Sequence, residues 1–324
     1  MVRVLKRILP QRMYRMLRSV FLKIRHSGHS SKKRKDVTGF WTKQNVTDHK
    51  MFSTAKQSEE SFWWRSQQYL GYLEAMPVNQ ADGKTVLDYG CGPGHDSVGF
   101  LLYSKPEKLV SADVSPTSLR EAEHRVGLHL QSEGQPRDGV VQFVQIDDQN
   151  PRLPFEDNTF DIIHSSGVLH HIKEHRQVLQ EFKRILKPDG YAQIMVYNYS
   201  SIWMHLYTCY VTQIKQGIYK TLSKREAFAK LTDGPGCPIA DCYTPDEYIK
   251  FVESVDGLKC ELTGAAISAF EMQLLPQRFD ALLHPRLDHE SREFLYSLTY
   301  DERGFPLHNG IVAGVDACYR VTRE

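Results

Sequence analysis

The 324-residue chain contains no apolar run near the roughly eighteen residues that a bilayer-crossing helix needs, so no transmembrane segment is expected. Its six cysteines, at 91, 209, 237, 242, 260 and 318, form no CxxC pair and no dense framework. That usage fits a reducing compartment, and a cytoplasmic location is expected. Cys237-x4-Cys242 and the His170-His171 pair lack a second ligand pair at sensible spacing, so no metal is expected. Residues 1–35 are basic and lack acid: they hold twelve of the 41 Lys and Arg and none of the 39 Asp and Glu. The remainder is net acidic, although the whole chain carries +2.

Within that basic stretch Leu5, Ile8, Leu9, Met13, Met16, Leu17, Val20, Phe21 and Ile24 recur at helical spacing, with Pro10 as a kink or break. Three readings stay open. The tail is suited to an anionic membrane surface, where each Lys or Arg in reach adds about 1 kcal/mol. An arginine-rich presequence has the same composition. A helix docked on the protein's own body or on a partner, its charges solvated, is the third.

The composition of the whole chain, 41% hydrophobic and 25% charged, is ordinary for a globular protein. Residues 36–80 are rich in aromatics, among them Phe40, Trp41, Phe62, Trp63, Trp64, Tyr69 and Tyr72. A helix over Ser58 to Met76 is expected, capped by Ser58 and stopped by Pro77. From residue 81 to 324 short apolar strands alternate with amphipathic helices, the mark of a doubly wound, mostly parallel α/β sheet of seven strands. The expected strands are Thr85 to Asp88, Leu109 to Asp113, Val140 to Ile146, Asp161 to Ser165, Tyr191 to Tyr197, Leu258 to Ile267 and Gly314 to Val321. Lys187 to Gly190 reads as a turn after a helix over Glu174 to Leu186. Stretches 199–244 and 270–309 break the alternation and read as cap inserts.

The chemistry concentrates where the first strand runs into Asp88-Tyr89-Gly90-Cys91-Gly92-Pro93-Gly94. Glycines there let backbone approach a ligand closely or take unusual dihedrals. A dinucleotide fingerprint places its third glycine three residues after the second, whereas Gly94 follows Gly92 by two, which disfavours NAD. The next strand ends in Asp113, placed to accept from a ribose diol, the third in Asp147 and Asp148, and the fourth in Ser165 and Ser166. Alone, each reads as a turn or cap residue. Together they line the carboxyl edge where open α/β sheets bind ligands.

VLDYGCGPG, SADVSPTSLREA, FVQIDD, LPFEDNTFDIIHSSGVLHHI and EFKRILKPDGYAQIMVYN resemble, in order, the motifs of class I S-adenosylmethionine (SAM) dependent methyltransferases of the type 11, small-molecule branch. The resemblance implies a Rossmann-like fold with SAM as cofactor. Asp88, Gly90, Gly92 and Gly94 would border its methionyl end and Asp113 would take the ribose hydroxyls. Val114 would lie against adenine, Asp147 or Asp148 would accept from the adenine amino group, and Ser165 and Ser166 would line the sulfonium side. Gln149 to Arg152 lengthens the usual link, which leaves the choice between Asp147 and Asp148 open.

An alcohol acceptor needs its proton removed, and His171, ahead of His170, is the candidate base. Tyr197 and Asn198 could orient the acceptor, while His205, Tyr207 and Asp233 to Pro238 fall in the first insert. The fourth strand lacks the Asp/Asn-Pro-Pro-aromatic loop of enzymes that methylate base amines, and no specific nucleic-acid partner is expected. The acceptor expected is a small molecule, a glycan or a lipid-linked compound, methylated on oxygen. N- or C-methylation and a noncatalytic assembly partner are the alternatives.

Overall fold

The computed structural model describes residues 37–44, 51–132 and 139–324. The basic stretch 1–35 lies outside the described residues.

Strands buried on both faces read as continuous apolar runs, and such runs build the centre of the molecule. β2 (Thr85–Tyr89), β3 (Lys108–Asp113), β4 (Val141–Gln145), β5 (Phe160–Ser166) and β6 (Leu186–Tyr197) pair in parallel in the order β4-β3-β2-β5-β6. β11 (Asp316–Arg323) runs antiparallel between β6 and β7 (Leu258–Ser268). The expected seven strands are therefore present. An eighth, β1 (Tyr69–Leu70), adds to the edge by pairing antiparallel with Ser268 and Ile267.

Helices cover both faces. α6 (His175–Ile185) presents Val178, Leu179, Phe182 and Ile185 to one side of the sheet, together with Tyr248 and Val252 of α8 (Pro245–Glu253). The other side receives Phe62 of α2 (Ala55–Gln68), Val98, Phe100 and Leu101 of α4 (His95–Tyr103) and Val126 of α5 (Pro116–Ser132). The order reverses between β2 and β5, which opens a crevice at their carboxyl ends.

Three local expectations are corrected. The helix expected over Ser58 to Met76 starts earlier, where the Thr54 side chain accepts the Gln57 N–H at 3.2 Å. Ser58 is instead fully buried and accepts from Arg125 Nε at 2.8 Å. The helix stops at Gln68, because Gly71 at φ +81° redirects the chain into β1 and the short α3 (Tyr72–Ala75). Lys187–Gly190 is not a separate turn: β6 begins at Leu186, and these residues bulge between the pairs Phe160–Leu186 and Ile162–Tyr191.

The inserts share a second core. A wide helix, Trp203–Lys215, ends with an i→i+5 hydrogen bond from Gln216 to Val211. It packs with α7 (Lys224–Thr232), α9 (Ala269–Leu274), α10 (Arg278–Leu283) and α11 (His289–Ser297) around Met204, Leu206, Phe228, Phe294 and Leu295. A small antiparallel sheet of β8 (Thr299–Tyr300), β9 (Pro306–His308) and β10 (Ile311–Val312) precedes β11. Ahead of the core, α1 (Val37–Lys43) is held near the carboxyl edge by the Thr38 N–H, which donates to Asp148 at 3.3 Å. No described helix is long and apolar enough to cross a membrane.

Candidate active site

The glycine loop leaves β2 through three residues at positive φ, Gly90 (+77°), Gly92 (+51°) and Gly94 (+77°), which L side chains rarely adopt. Their surroundings differ. A Cβ on Gly90 would stand 2.2 Å from Val168 Cγ2 and one on Gly94 3.0 Å from Ala122 Cα, whereas one on Gly92 would meet nothing within 4 Å. The loop is thus packed at both ends and open in the middle.

Asp113 closes β3 beside it, 8% exposed, with one oxygen accepting the Gly92 N–H at 2.9 Å and the other the Ser115 N–H at 2.7 Å. Each oxygen retains a lone pair. Burial raises its pKa, against the pull of the backbone N–H groups. Asp88 is more deeply placed: its carboxylate accepts from Ser97 Oγ at 2.5 Å, and Ser97 in turn meets Ser111 Oγ at 2.9 Å. The contact that Asp88 makes is with α4, so it supports the loop from below; burial pushes its pKa to about 7. Val114 is partly buried against the core. Of the two acids after β4, Asp147 is exposed and accepts the Gln149 N–H in a turn, while Asp148 anchors α1. Ser165 is fully buried with no partner for its Oγ among the described residues, an orphan polar atom at the carboxyl edge. An open glycine, a ribose-competent carboxylate and an orphan hydroxyl around one crevice fit a nucleoside cofactor with a methionyl arm.

The profile of the family described as "Methyltransferase domain" matches residues 87–194, from β2 to β6. This core is a class I, type 11 methyltransferase domain. Its cofactor is S-adenosylmethionine. An uncharacterized methyltransferase of Schizosaccharomyces pombe, C1B3.06c, is 31% identical over 139 residues, covering 41% of this chain and 46% of that protein. The ubiquinone/menaquinone biosynthesis C-methyltransferase UbiE of Escherichia fergusonii is 33% identical over 120 residues, or 36% and 43%. A solved complex of the Haloferax volcanii Trm112 methyltransferase activator and a putative methyltransferase gives 19% identity, a TM-score of 0.48, and coverage of 90% and 98%. The chain spans less than half the length of these curated relatives.

Around the methyltransferase crevice lies a second group of side chains, brought from distant parts of the sequence. The Tyr72 hydroxyl donates to Asp96 Oδ2 at 2.8 Å and meets Ser166 Oγ at 2.7 Å. His164 Nε2 stands 3.2 Å from the same Asp96 oxygen. Burial opposes charge on both His164 and Asp96, but their mutual hydrogen bond outweighs it: the imidazole pKa is raised and the carboxyl pKa lowered, a buried ion pair. Arg65 on α2 is half-buried, makes no hydrogen bond or ion pair among the described residues, and lies within range of the charge of Asp96 and Asp316.

On the opposite side, His171 Nδ1 lies 2.6 Å from the Ile239 carbonyl oxygen. A carbonyl only accepts, so Nδ1 carries the proton and the free lone pair is on Nε2. That atom is 3.7 Å from Asp233 Oδ2, beyond hydrogen-bond length. The Tyr197 hydroxyl donates to Asp233, 3.0 Å from either oxygen. Trp41 of α1 packs on the His171 ring, centroids 4.8 Å apart. Cys237 also approaches His171, its Sγ 3.8 Å from Nδ1 and 3.1 Å from the Ile239 carbonyl oxygen, and ligand atoms of His171, Asp233 and Cys237 all lie within 4.8 Å of one another, a grouping that could hold a metal ion where none was expected.

The other candidates fall elsewhere. His170 is fully buried against Tyr197, centroids 3.8 Å apart, and burial lowers its pKa well below the usual value. Asn198, expected to orient an acceptor, uses Nδ2 on Ser200 and Gly314 and Oδ1 on the Ser200 N–H, and so pins the strand end. His205 stacks on Phe294 and Tyr207 packs against Trp203 and Phe270, both in the insert core rather than at the crevice. Arg65, Tyr69, Asp96, His164 and Asp316 escaped sequence reasoning as site residues. An acid opening an apolar strand, as in Val315-Asp316-Ala317, was the one available signal for Asp316.

Proposed function

We propose that the protein transfers the methyl group of SAM to a hydroxyl oxygen of a small-molecule, glycan or lipid-linked acceptor, with His171 as the base. The observation that carries this reading is the Nδ1 contact with Ile239, which fixes the tautomer and leaves Nε2 free beside Asp233. The cofactor supplies an activated methyl on a sulfonium. Asp113 would take its ribose hydroxyls, the open face over Gly92 would admit its backbone-facing edge, and the guanidinium of Arg65, without a partner among the described residues, suits its carboxylate.

For the acceptor, His171 Nε2 receives the hydroxyl proton as the oxygen attacks. Asp233 stabilises the imidazolium that forms, and Tyr197 holds that carboxylate in place. Burial keeps the Tyr197 phenol protonated, with its pKa well above the usual value, so it acts as a donor and not as the base. Trp41 covers the imidazole and excludes water. The names of the relatives span C-methylation in ubiquinone/menaquinone biosynthesis and a phthiotriol/phenolphthiotriol dimycocerosates methyltransferase, and so fix no acceptor.

Calorimetry with S-adenosylhomocysteine, followed by labelled SAM in cell extract and mass spectrometry of the labelled product, tests the reading. His171→Gln should leave cofactor affinity unchanged and slow labelling about 10²- to 10⁴-fold, the usual range for a general base. No binding at submillimolar cofactor, or full labelling by the variant, overturns it. The basic tail is proposed to seat the enzyme on an anionic bilayer. Equal co-sedimentation with phosphatidylserine vesicles by the full chain and by one starting at Asp36 would refute that.

A further inference from the structure

Asp316 is the first residue of β11, in register with Tyr197 on one side and Ala266 on the other, at the edge where the parallel strands end. It is 3% exposed, yet its carboxylate has no hydrogen bond or ion pair among the described residues. The other acids buried at this end are all engaged. Asp88 accepts from Ser97, Asp96 from Tyr72, Asp113 from two backbone N–H groups, and Glu271 from Ser268 and the Trp203 N–H. A buried carboxyl left without a partner costs stability, and such a group in a crevice points to a ligand.

We infer that Asp316 holds a second, unmethylated hydroxyl of a neutral polyhydroxylated acceptor while His171 takes the proton of the first. The inference rests on the proposed methyl transfer to oxygen. Glu271 of α9, Arg65 of α2 and Asp233 after α7 are the charged groups that act on it, and Asp316 in turn acts on the phenols of Tyr69 of β1 and Tyr197 of β6. Asp233 and Tyr197 belong to the His171 group, and Asp316 stands directly opposite Tyr197 in the pairing of β11 with β6, so it lies beside that group.

Charge selects the ligand class. An anionic acceptor would meet the Asp233 carboxylate beside His171, and an ammonium would find at Asp316 a group that is largely uncharged. Burial, reinforced by Glu271, raises the Asp316 pKa to about 8, so at neutral pH the group is mostly a carboxylic acid. In that form it can donate to one oxygen and accept from another, which matches an alcohol. Tyr69 and Tyr197 add aromatic surface suited to the apolar face of a sugar ring.

The test uses the full chain loaded with S-adenosylhomocysteine. Saturation-transfer NMR with methyl α-mannopyranoside, methyl α-galactopyranoside and methyl β-glucopyranoside probes the neutral polyol class, with ethanolamine as the cationic probe. Wild type should bind at least one glycoside in preference to ethanolamine. Asp316→Asn should stay within about threefold, because an amide still donates and accepts, and Asp316→Ala should lose about tenfold or more. Cofactor affinity should be equal in all three. The inference is overturned if no glycoside binds, if ethanolamine is preferred, or if the alanine variant binds as wild type does. Should that variant not fold, the wild-type preference alone decides. Failure of wild type to bind S-adenosylhomocysteine would instead defeat the methyltransferase reading.

Discussion

Gly90→Ala and Gly92→Ala change one atom each in the same loop, and the structure assigns them different outcomes. Both place a methyl on a residue at positive φ, a strain of about 1–2 kcal/mol, partly offset by about 0.4–1 kcal/mol because alanine stiffens the unfolded chain. At Gly90 the methyl also stands 2.2 Å from Val168 Cγ2, so the loop or Val168 must move, which adds about 1–3 kcal/mol of overpacking. At Gly92 the space is open. Gly90→Ala should therefore unfold earlier in urea by about 1–4.6 kcal/mol, and Gly92→Ala by no more than about 1.6 kcal/mol. Titration with S-adenosylhomocysteine reverses the ranking relative to stability. Gly92→Ala should lose about tenfold or more in affinity, since the methyl fills space that cofactor would use and sits beside the N–H that positions Asp113. Undiminished cofactor affinity in Gly92→Ala would refute the placement of the pocket over this glycine.

Asp113→Ala removes an acceptor for the ribose hydroxyls and leaves the Gly92 and Ser115 N–H groups unpaired. Calorimetry should show a loss of about 1.5–3 kcal/mol in S-adenosylhomocysteine binding, and a loss below threefold would argue for another ribose partner. Asp316→Asn should gain thermal stability relative to wild type as pH rises. The folded carboxyl pKa, about 8, lies above the ordinary carboxyl value of 3.8, so folding keeps a proton that the unfolded chain releases and wild-type stability falls between those limits. Melting at pH 5 and pH 9 checks the sign; an unchanged difference refutes it. Asp148→Ala frees the Thr38 N–H, and hydrogen exchange over residues 37–43 should quicken while β2 to β6 stay protected.

The central strands were legible because each is an apolar run that ends in glycine, acid or serine, a local signal that burial on both faces imposes. β1 was not, since two residues at a sheet edge have no periodicity to read. The helix expected through Met76 needed only the punctuation of Gly71, whereas the role of Ser58 depends on Arg125 and His129, far along the chain. The site shows the same division. Asp88, Asp113, Ser165 and His171 announce themselves beside short motifs. Arg65, Tyr69, Asp233 and Asp316 come together only through β1, the first insert and the antiparallel β11, and nothing in their neighbourhoods states that they meet. Asp148 looked like a ligand residue by position, and the packing of α1 gave it another occupation.

The stretch that other proteins share, 87–194, stops inside β6, and its last strand is sealed on the outer side by residues 316–322 through Asp316–Tyr197 to Thr322–Tyr191. Its crevice wall is completed by Tyr72 and its sheet face by Phe62, both upstream. Recombination between this chain and a relative should therefore respect those seams. A chimera exchanged at 87 and 194 must match foreign strands to β11 and a foreign floor to Tyr72. One that keeps residues 37–324 together inherits the described pairings intact.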